Sequence, residues 1–98
     1  MNLNLKNKIA LVTGGSRGIG ASICRGLAAE GVRVGVNYSA SAEKAEAVAE
    51  AIRRDFGVDA VAIKGNLEVE TDIVALFDAL EARWGAPVDL LVNNAAYC

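Results

Sequence analysis

Residues 13–20 read Thr-Gly-Gly-Ser-Arg-Gly-Ile-Gly, and this stretch decides the fold. It follows a short apolar run and leads into a segment whose apolar residues recur at helical spacing. A strand, a glycine turn and a helix in this order bring a phosphate group onto backbone N–H groups at the helix N-terminus. Gly14 permits a sharp exit from the strand, Gly18 removes a side chain where a pyrophosphate would approach, and Gly20 permits close helix packing. The alternative, a purely structural turn, is disfavoured by the flanking strand and helix signals.

The composition is that of one small domain. The 98 residues are 53% hydrophobic, more apolar than so small a body readily buries, which is typical of part of a larger sheet protein. A net charge of −2 and scattered basic residues exclude a nucleic-acid footprint, and no apolar run is long enough to predict a membrane span. With no histidine, Cys24 and Cys98 do not predict a zinc site. They suggest free thiols, and with no signal-peptide core we expect a cytoplasmic protein.

Apolar periodicity predicts strands alternating with helices along the whole chain. Strands are expected at 9–13, 32–36, 60–64 and 90–92. The first helix is expected at about 18–30, with a core-facing stripe of Ile19, Ile23 and Leu27. The second follows cap chemistry at Ser39 and Ser41 and ends at Gly57. The third begins near Thr71, and Gly85 and Pro87 lie past its end. Their core faces are expected to hold Ala45, Val48, Ala49, Ile52 and Phe56, and Ile73, Leu76, Phe77, Leu80 and Trp84, respectively.

This alternation predicts an α/β fold, a partial Rossmann-type doubly wound parallel sheet. Four strands in the order 3-2-1-4 would have the first two helices on one face and the third on the other. The order of the strands then reverses between the first and the fourth. Ligands bind at the carboxyl ends of strands at such a point, where the glycine turn and the residues after the fourth strand would both lie.

Two motifs carry a resemblance to a known family. Thr13 to Gly20 resembles the cofactor motif of the short-chain dehydrogenase/reductases, and Asp89-Leu90-Leu91-Val92-Asn93-Asn94-Ala95-Ala96 resembles their Asn-Asn-Ala-Gly motif, with Ala96 in place of the usual glycine. The resemblance covers the whole chain and is nearest to classical reductases that include the 3-oxoacyl carrier-protein reductases. It implies that residues 1–98 are the N-terminal part of a single dinucleotide-binding domain. The implied enzyme moves a hydride between a nicotinamide cofactor and a carbonyl or alcohol.

The family's catalytic residues find no counterpart in these 98 residues. The family's serine and its Tyr-x-x-x-Lys pair normally lie well downstream, as do the helices of its usual homotetramer. Neither Tyr38 nor Tyr97 is followed four residues on by lysine. We therefore assign no catalytic and no metal-binding residue, and expect the isolated chain to be inactive.

The expected cofactor contacts combine the glycine turn with positions that the resemblance implies. They are Gly14, Ser16, Arg17, Gly18, Ile19, Gly20, Asn37, Tyr38, Ser39, Asn66, Leu67, Asn94, Ala95 and Ala96. Asn66 stands where the family usually has aspartate near the adenine, and its alternative role is to satisfy local backbone groups. Asn93 is expected to tie neighbouring strand ends together, and Asp89 to serve the start of the fourth strand.

The end of the second strand favours NADP over NAD. An NAD-selective site places Asp or Glu about 20 residues after the glycines, to bond the ribose 2′-hydroxyl. Here Asn37, Tyr38 and Ser39 occupy those positions, and the first acid is Glu43. A carboxylate would repel a 2′-phosphate, whereas the guanidinium of Arg17 attracts one. The alternative for Arg17 is a solvated loop arginine.

Two further functions fit the motifs less well. A non-catalytic dinucleotide-binding or interaction module ending at residue 98 is the alternative from another class. Another Rossmann-type protein, such as a methyltransferase, is disfavoured because its cofactor hydroxyls also require an acid after the second strand.

Overall fold

Four parallel strands form one sheet in a computed structural model that describes residues 4–16 and 18–94. The strands are β1 (Ile9–Thr13), β2 (Arg33–Tyr38), β3 (Ala60–Lys64) and β4 (Leu90–Asn93), in the order β3-β2-β1-β4. The register pairs Leu11 with Gly35 and with Leu91. The predicted strand order is confirmed, and it puts the turn after β1 beside the end of β4.

The strand β1 is buried along its whole length, as its continuous apolar run predicts. Its start is joined to that of β4 by Asp89, whose carboxylate accepts a hydrogen bond from the Ile9 N–H at 2.9 Å. The Asp89 N–H donates to the Ile9 carbonyl at the same distance. The expected role of Asp89 at the start of the fourth strand is therefore confirmed.

Three helices cover the two faces of the sheet unequally. They are α1 (Gly18–Ala29), α2 (Ala42–Phe56) and α3 (Glu70–Trp84). The helices α1 and α2 share one core cluster with the sheet, and their buried residues are Cys24, Ala28, Ala45, Ala49 and Ile52. The helix α3 packs on the opposite face, where Leu76 and Leu80 are buried with Leu11. The expected division of the helices between the faces is confirmed.

The expected core stripe of α1 is wrong at Ile19, which is 74% exposed. The buried stripe is instead Gly20, Cys24 and Ala28, with Ile23 and Leu27 partly buried against the same cluster. The reason is the short distance between α1 and the turn after β1. Only small side chains fit there, so the helix turns its small stripe toward the sheet and Ile19 outward.

The ends of α2 and α3 follow the predicted glycines, and α2 begins at a predicted cap residue that makes no capping bond. Gly57 and Gly85 are left-handed C-caps with φ of 64° and 69°, a conformation that glycine adopts readily. Ser41 occupies the N-cap position of α2, yet its side chain makes no cap hydrogen bond. The expected serine cap therefore supplies the position without the bond.

The strand β2 extends two residues beyond the predicted end at residue 36. Parallel pairing with β3 continues through Asn37 with Ile63 and Tyr38 with Lys64. The expected strand ended one residue before Asn37, whose buried amide has backbone partners at the end of the sheet.

Within the described part of the chain, no helix is long and apolar enough to cross a membrane.

Candidate functional site

The glycine turn between β1 and α1 depends on two left-handed residues and one close contact. Gly14 and Gly18 have φ of 62° and 59°, which other residues adopt at a cost. A Cβ on Gly20 would overlap the carbonyl oxygen of Gly14 and lie 2.7 Å from Nδ2 of Asn94. Among the described residues, a Cβ on Gly18 would meet no atom within 4 Å, so the described part of the chain leaves this side of the turn open to an approaching group.

Gly15 is a further requirement of the turn that the sequence reasoning missed. Its N–H donates to the Asn37 carbonyl at 3.2 Å, which joins the turn to the end of β2. A Cβ on Gly15 would lie 3.0 Å from Sγ of Cys24 and 3.1 Å from the Val12 carbonyl oxygen. The signal in the sequence is the adjacent pair Gly14-Gly15, of which we interpreted only the first member.

Cys24 packs beneath this turn as the small buried residue that the sequence predicts. It is 0% exposed, and its Sγ lies 3.9 Å from the Gly15 carbonyl oxygen. Burial raises the pKa of the Cys24 thiol to about 12. The thiol therefore stays neutral at physiological pH and packs as a hydrophobic group.

The end of β4 is hydrogen-bonded to the glycine turn through Thr13. Its hydroxyl donates to Oδ1 of Asn93 at 3.1 Å and accepts from the Asn94 N–H at 2.9 Å. The Asn94 side chain donates from Nδ2 to the Gly14 carbonyl at 3.3 Å. Asn93 thus ties the strand ends together as predicted, and Asn94 lies against the turn. Thr13, which we had quoted without assigning it a role, links both strands.

The last two residues of β2, Asn37 and Tyr38, and the following Ser39 have different surroundings. Asn37 is 2% exposed, and its Nδ2 donates to the carbonyl oxygens of Ile63 and Gly65, each at 3.2 Å. Tyr38 is partly buried against the cluster shared by α1 and α2. Ser39 is exposed. No carboxylate stands among these three positions, where an NAD-selective site would have one.

Asn66 and Leu67, which we expected near an adenine, are held by contacts with nearby residues of the chain. The Asn66 N–H donates to the carboxylate of Asp72 at 2.9 Å, and its Oδ1 accepts from the Glu68 N–H at 2.9 Å. Leu67 packs partly buried against the core cluster beneath α3. The alternative role of Asn66, satisfying local backbone groups, is therefore present in the structure.

Charge and exposure around the turn favour an anion. The first turn of α1 carries no acidic residue, and the first four N–H groups of any helix have no partner within the helix. The helix dipole adds partial positive charge at the same point. Ser16 is partly exposed, and Ile19 stands exposed at the start of the helix. Three of the expected contact residues, Arg17, Ala95 and Ala96, lie outside the described residues.

Two cavities lie at opposite ends of the sheet. One of about 170 Å³ is at the carboxyl end of β1 and β4, and Thr13, Leu67, Phe77, Leu91 and Asn93 are among its lining residues. A larger one of about 430 Å³ is at the amino end, between Lys6, Gly31, Arg33, Phe56 and Asp59. By size alone, the cavity at the amino end would be the better candidate for a ligand site. Ligands of doubly wound sheets, however, bind at the carboxyl ends of the strands, where the glycine turn also lies.

Comparison with known proteins identifies relatives along nearly the whole chain. Residues 8–97 match the family model of the short chain dehydrogenases. The 3-oxoacyl-[acyl-carrier-protein] reductase FabG of Staphylococcus aureus strain Mu50 is 50% identical over 88 residues, which are 90% of this chain and 35% of the relative. The NADPH-dependent aldehyde reductase 2, chloroplastic, of Arabidopsis thaliana is 41% identical over 96% of this chain and 38% of its own.

A solved structure supports the same relationship. A short chain dehydrogenase from Burkholderia cenocepacia J2315, in complex with NADP, superposes with a TM-score of 0.88. It is 42% identical, and the match covers 97% of this chain and 38% of that one. The chain therefore spans little more than a third of the length of the relatives that it matches.

Proposed function

This chain belongs to the short-chain dehydrogenase family, and from that premise we propose that it binds NADP at the carboxyl ends of β1 and β4. In this proposal it forms the cofactor-binding part of an oxidoreductase that reduces a carbonyl group or oxidises an alcohol. Its relatives include a 3-oxoacyl-[acyl-carrier-protein] reductase and an NADPH-dependent aldehyde reductase.

The observation that carries this proposal is the position of the glycine turn beside the end of β4. Gly14 and Gly18 supply the left-handed turn, and the open side of Gly18 leaves room for a diphosphate. The Asn94 side chain fixes the Gly14 carbonyl from the neighbouring strand. We propose that Ser16, Gly18, Ile19 and Gly20 bind the diphosphate, with Asn94, Ala95 and Ala96 beside the ribose of the nicotinamide.

The preference for NADP is proposed from the absence of a carboxylate at the end of β2. Tyr38 and Ser39 leave that part of the cleft without the charge that would repel a 2′-phosphate. Arg17 is proposed to supply the attracting guanidinium. Asn66 and Leu67 are proposed to border the adenine.

The bound cofactor would supply hydride chemistry, and this chain would position it. Ile19 would shield the diphosphate from water on the exposed side of α1. With no lysine four residues after Tyr38, the chain supplies no counterpart of the family's proton donor. We therefore propose that the chain alone binds the cofactor without turnover. The cytoplasm is the proposed location, where a reduced Cys24 would remain a free thiol.

Calorimetric titration of the folded chain with NADP and with NAD tests the proposed function. We expect NADP to bind more tightly than NAD, because only NADP can use a guanidinium at its 2′-phosphate. Tighter binding of NAD would contradict the cofactor preference, and no binding of either nucleotide would contradict the proposed function.

A turnover assay separates this proposal from a complete small enzyme. We expect no oxidation of NADPH by the chain with a small β-keto ester as the probe substrate. Steady turnover that disappears in the Gly20→Ala variant would show that the chain carries its own catalytic groups.

A further inference from the structure

The side-chain amide of Asn37 is buried at the end of the sheet and hydrogen-bonded to its backbone. The residue is 2% exposed, and its Nδ2 donates to the carbonyl oxygens of two neighbours, Ile63 and Gly65, each at 3.2 Å, while the Tyr38 carbonyl oxygen lies 3.5 Å away. Because both neighbours accept hydrogen bonds, the nitrogen of the amide, and not its oxygen, must face them. A nucleotide oxygen would have to compete with these bonds to accept a hydrogen bond from Nδ2.

The main chain of Asn37 holds a different segment. Its carbonyl oxygen accepts the Gly15 N–H from the glycine turn at 3.2 Å. One residue of β2 is therefore bonded on one side to the turn after β1 and on the other to the segment after β3. These two segments are the ones proposed to contact the diphosphate and the adenine.

The segment after β3 also makes contacts with Tyr38 and with α3. The Gly65 N–H donates to the Tyr38 carbonyl at 3.0 Å, and a Cβ on Gly65 would lie 2.9 Å from Leu76 of α3. The next residue, Asn66, is hydrogen-bonded to Asp72 in the first turn of α3. Gly65 and Asn66 are thus clamped between β2 and α3, and Asn37 is the member of that clamp that also reaches the glycine turn.

We propose that Asn37 is a positioning residue that sets the spacing between the glycine turn and Gly65–Asn66, so that both engage a single dinucleotide. Its side chain does not contact the nucleotide and does not select between NADP and NAD. This inference rests on the proposed function, because it concerns the same site. It differs from our expectation that Asn37 is itself a cofactor contact.

The variant Asn37→Asp distinguishes positioning from selection. An aspartate has nearly the same shape but cannot donate from its ionised form, so it would face two carbonyl oxygens with no bond to either. If Asn37 positions the segments, Asn37→Asp weakens NADP and NAD alike, by about tenfold each, and leaves the ratio of their dissociation constants unchanged within about twofold. If Asn37 selects the cofactor, the new carboxylate inverts the ratio in favour of NAD.

Ser39→Asp is the matched control, because it adds the same charge at an exposed position two residues away. We expect it to weaken NADP selectively. Inversion of the ratio in Asn37→Asp would overturn the inference, while failure of the unaltered chain to bind either nucleotide would overturn the proposed function instead.

A measurement on the unaltered chain applies even if Asn37→Asp does not fold. In nitrogen-resolved NMR spectra we expect the side-chain NH₂ of Asn37 to exchange slowly with water and to keep its resonance when NADP is added. Loss of that protection, or a nuclear Overhauser contact between this NH₂ and the nucleotide, would show that the side chain is a ligand.

Discussion

At the scale of single residues, Gly20 and Gly26 lie in the same helix and face different surroundings. A Cβ on Gly20 would overlap the Gly14 carbonyl oxygen, whereas a Cβ on Gly26 would meet no atom of residues 4–16 or 18–94 within 4 Å. We expect Gly20→Ala to lower the free energy of unfolding by about 1–3 kcal/mol, because α1 must move away from the turn. It should also weaken NADP binding, since the helix N-terminus moves with it.

The control Gly26→Ala should raise the free energy of unfolding by about 0.5–1 kcal/mol, because alanine is the better helix former. Urea denaturation of both variants measures the difference. Equal effects of the two substitutions would contradict the close packing of α1 on the turn.

At the scale of secondary-structure elements, Asp59 joins the end of α3 to the start of β3. Its carboxylate accepts hydrogen bonds from Nε1 of Trp84 at 2.7 Å and from Nε of Arg83 at 3.1 Å. Burial opposes ionisation of Asp59, but these two hydrogen bonds, the positive charge of Arg83 and the Ala60 N–H together outweigh it and hold the pKa of the Asp59 carboxyl below the usual value. Since the pKa is lower in the folded state, the ionised carboxylate stabilises the fold.

The contribution of Asp59 to stability should therefore depend on pH. It is fully present above the unfolded-state pKa of about 3.9 and is lost as the pH falls through the lower folded-state pKa. We expect Asp59→Asn to melt at a lower temperature than the unaltered chain at pH 7, and the difference to shrink as the pH is lowered from about 5 to about 3. Asp78→Asn, at an exposed position of α3, removes the same charge as a control. Parallel pH profiles for Asp59→Asn and the unaltered chain would exclude this role.

At the scale of the whole molecule, one edge and one face of the sheet leave apolar side chains exposed to solvent. The strand β4 is at the edge of the sheet, where Leu91 is 56% exposed. Among the described residues, α3 is the one helix that covers this face of the sheet. Val74 on α3 is itself 54% exposed. An unprotected edge strand with apolar side chains invites pairing with other chains.

We therefore expect the isolated chain to self-associate at micromolar concentration. Leu91→Lys should reduce the association, because a charge on an edge strand opposes pairing. Ala47→Lys, on an exposed position of α2, is the control that adds charge away from the edge. Sedimentation velocity over a concentration series measures the effect. A pure monomer with a sharp, reversible melt would contradict the exposed edge.

Much of this architecture is predictable from the sequence because each signal is local and repeated. The glycines at 57 and 85 mark the helix ends, and continuous apolar runs mark the strands. The orientation of α1 was not predictable from apolar residues alone, because the close approach at Gly20 selects the small stripe over Ile19. The partners of Asn37 were not predictable either. Its amide can donate or accept, and only the carbonyls of Ile63 and Gly65 decide between these roles.

The turn after β1 is proposed to bind the diphosphate of a dinucleotide at the carboxyl end of the sheet. Amide chemical shifts of the isotope-labelled chain, followed during titration with NADP, measure where the nucleotide binds. We predict that the largest shifts occur in the segment 14–20 and at Asn94. Shifts concentrated instead around Lys6, Gly31 and Asp59, at the cavity at the amino end of the sheet, would contradict this binding site.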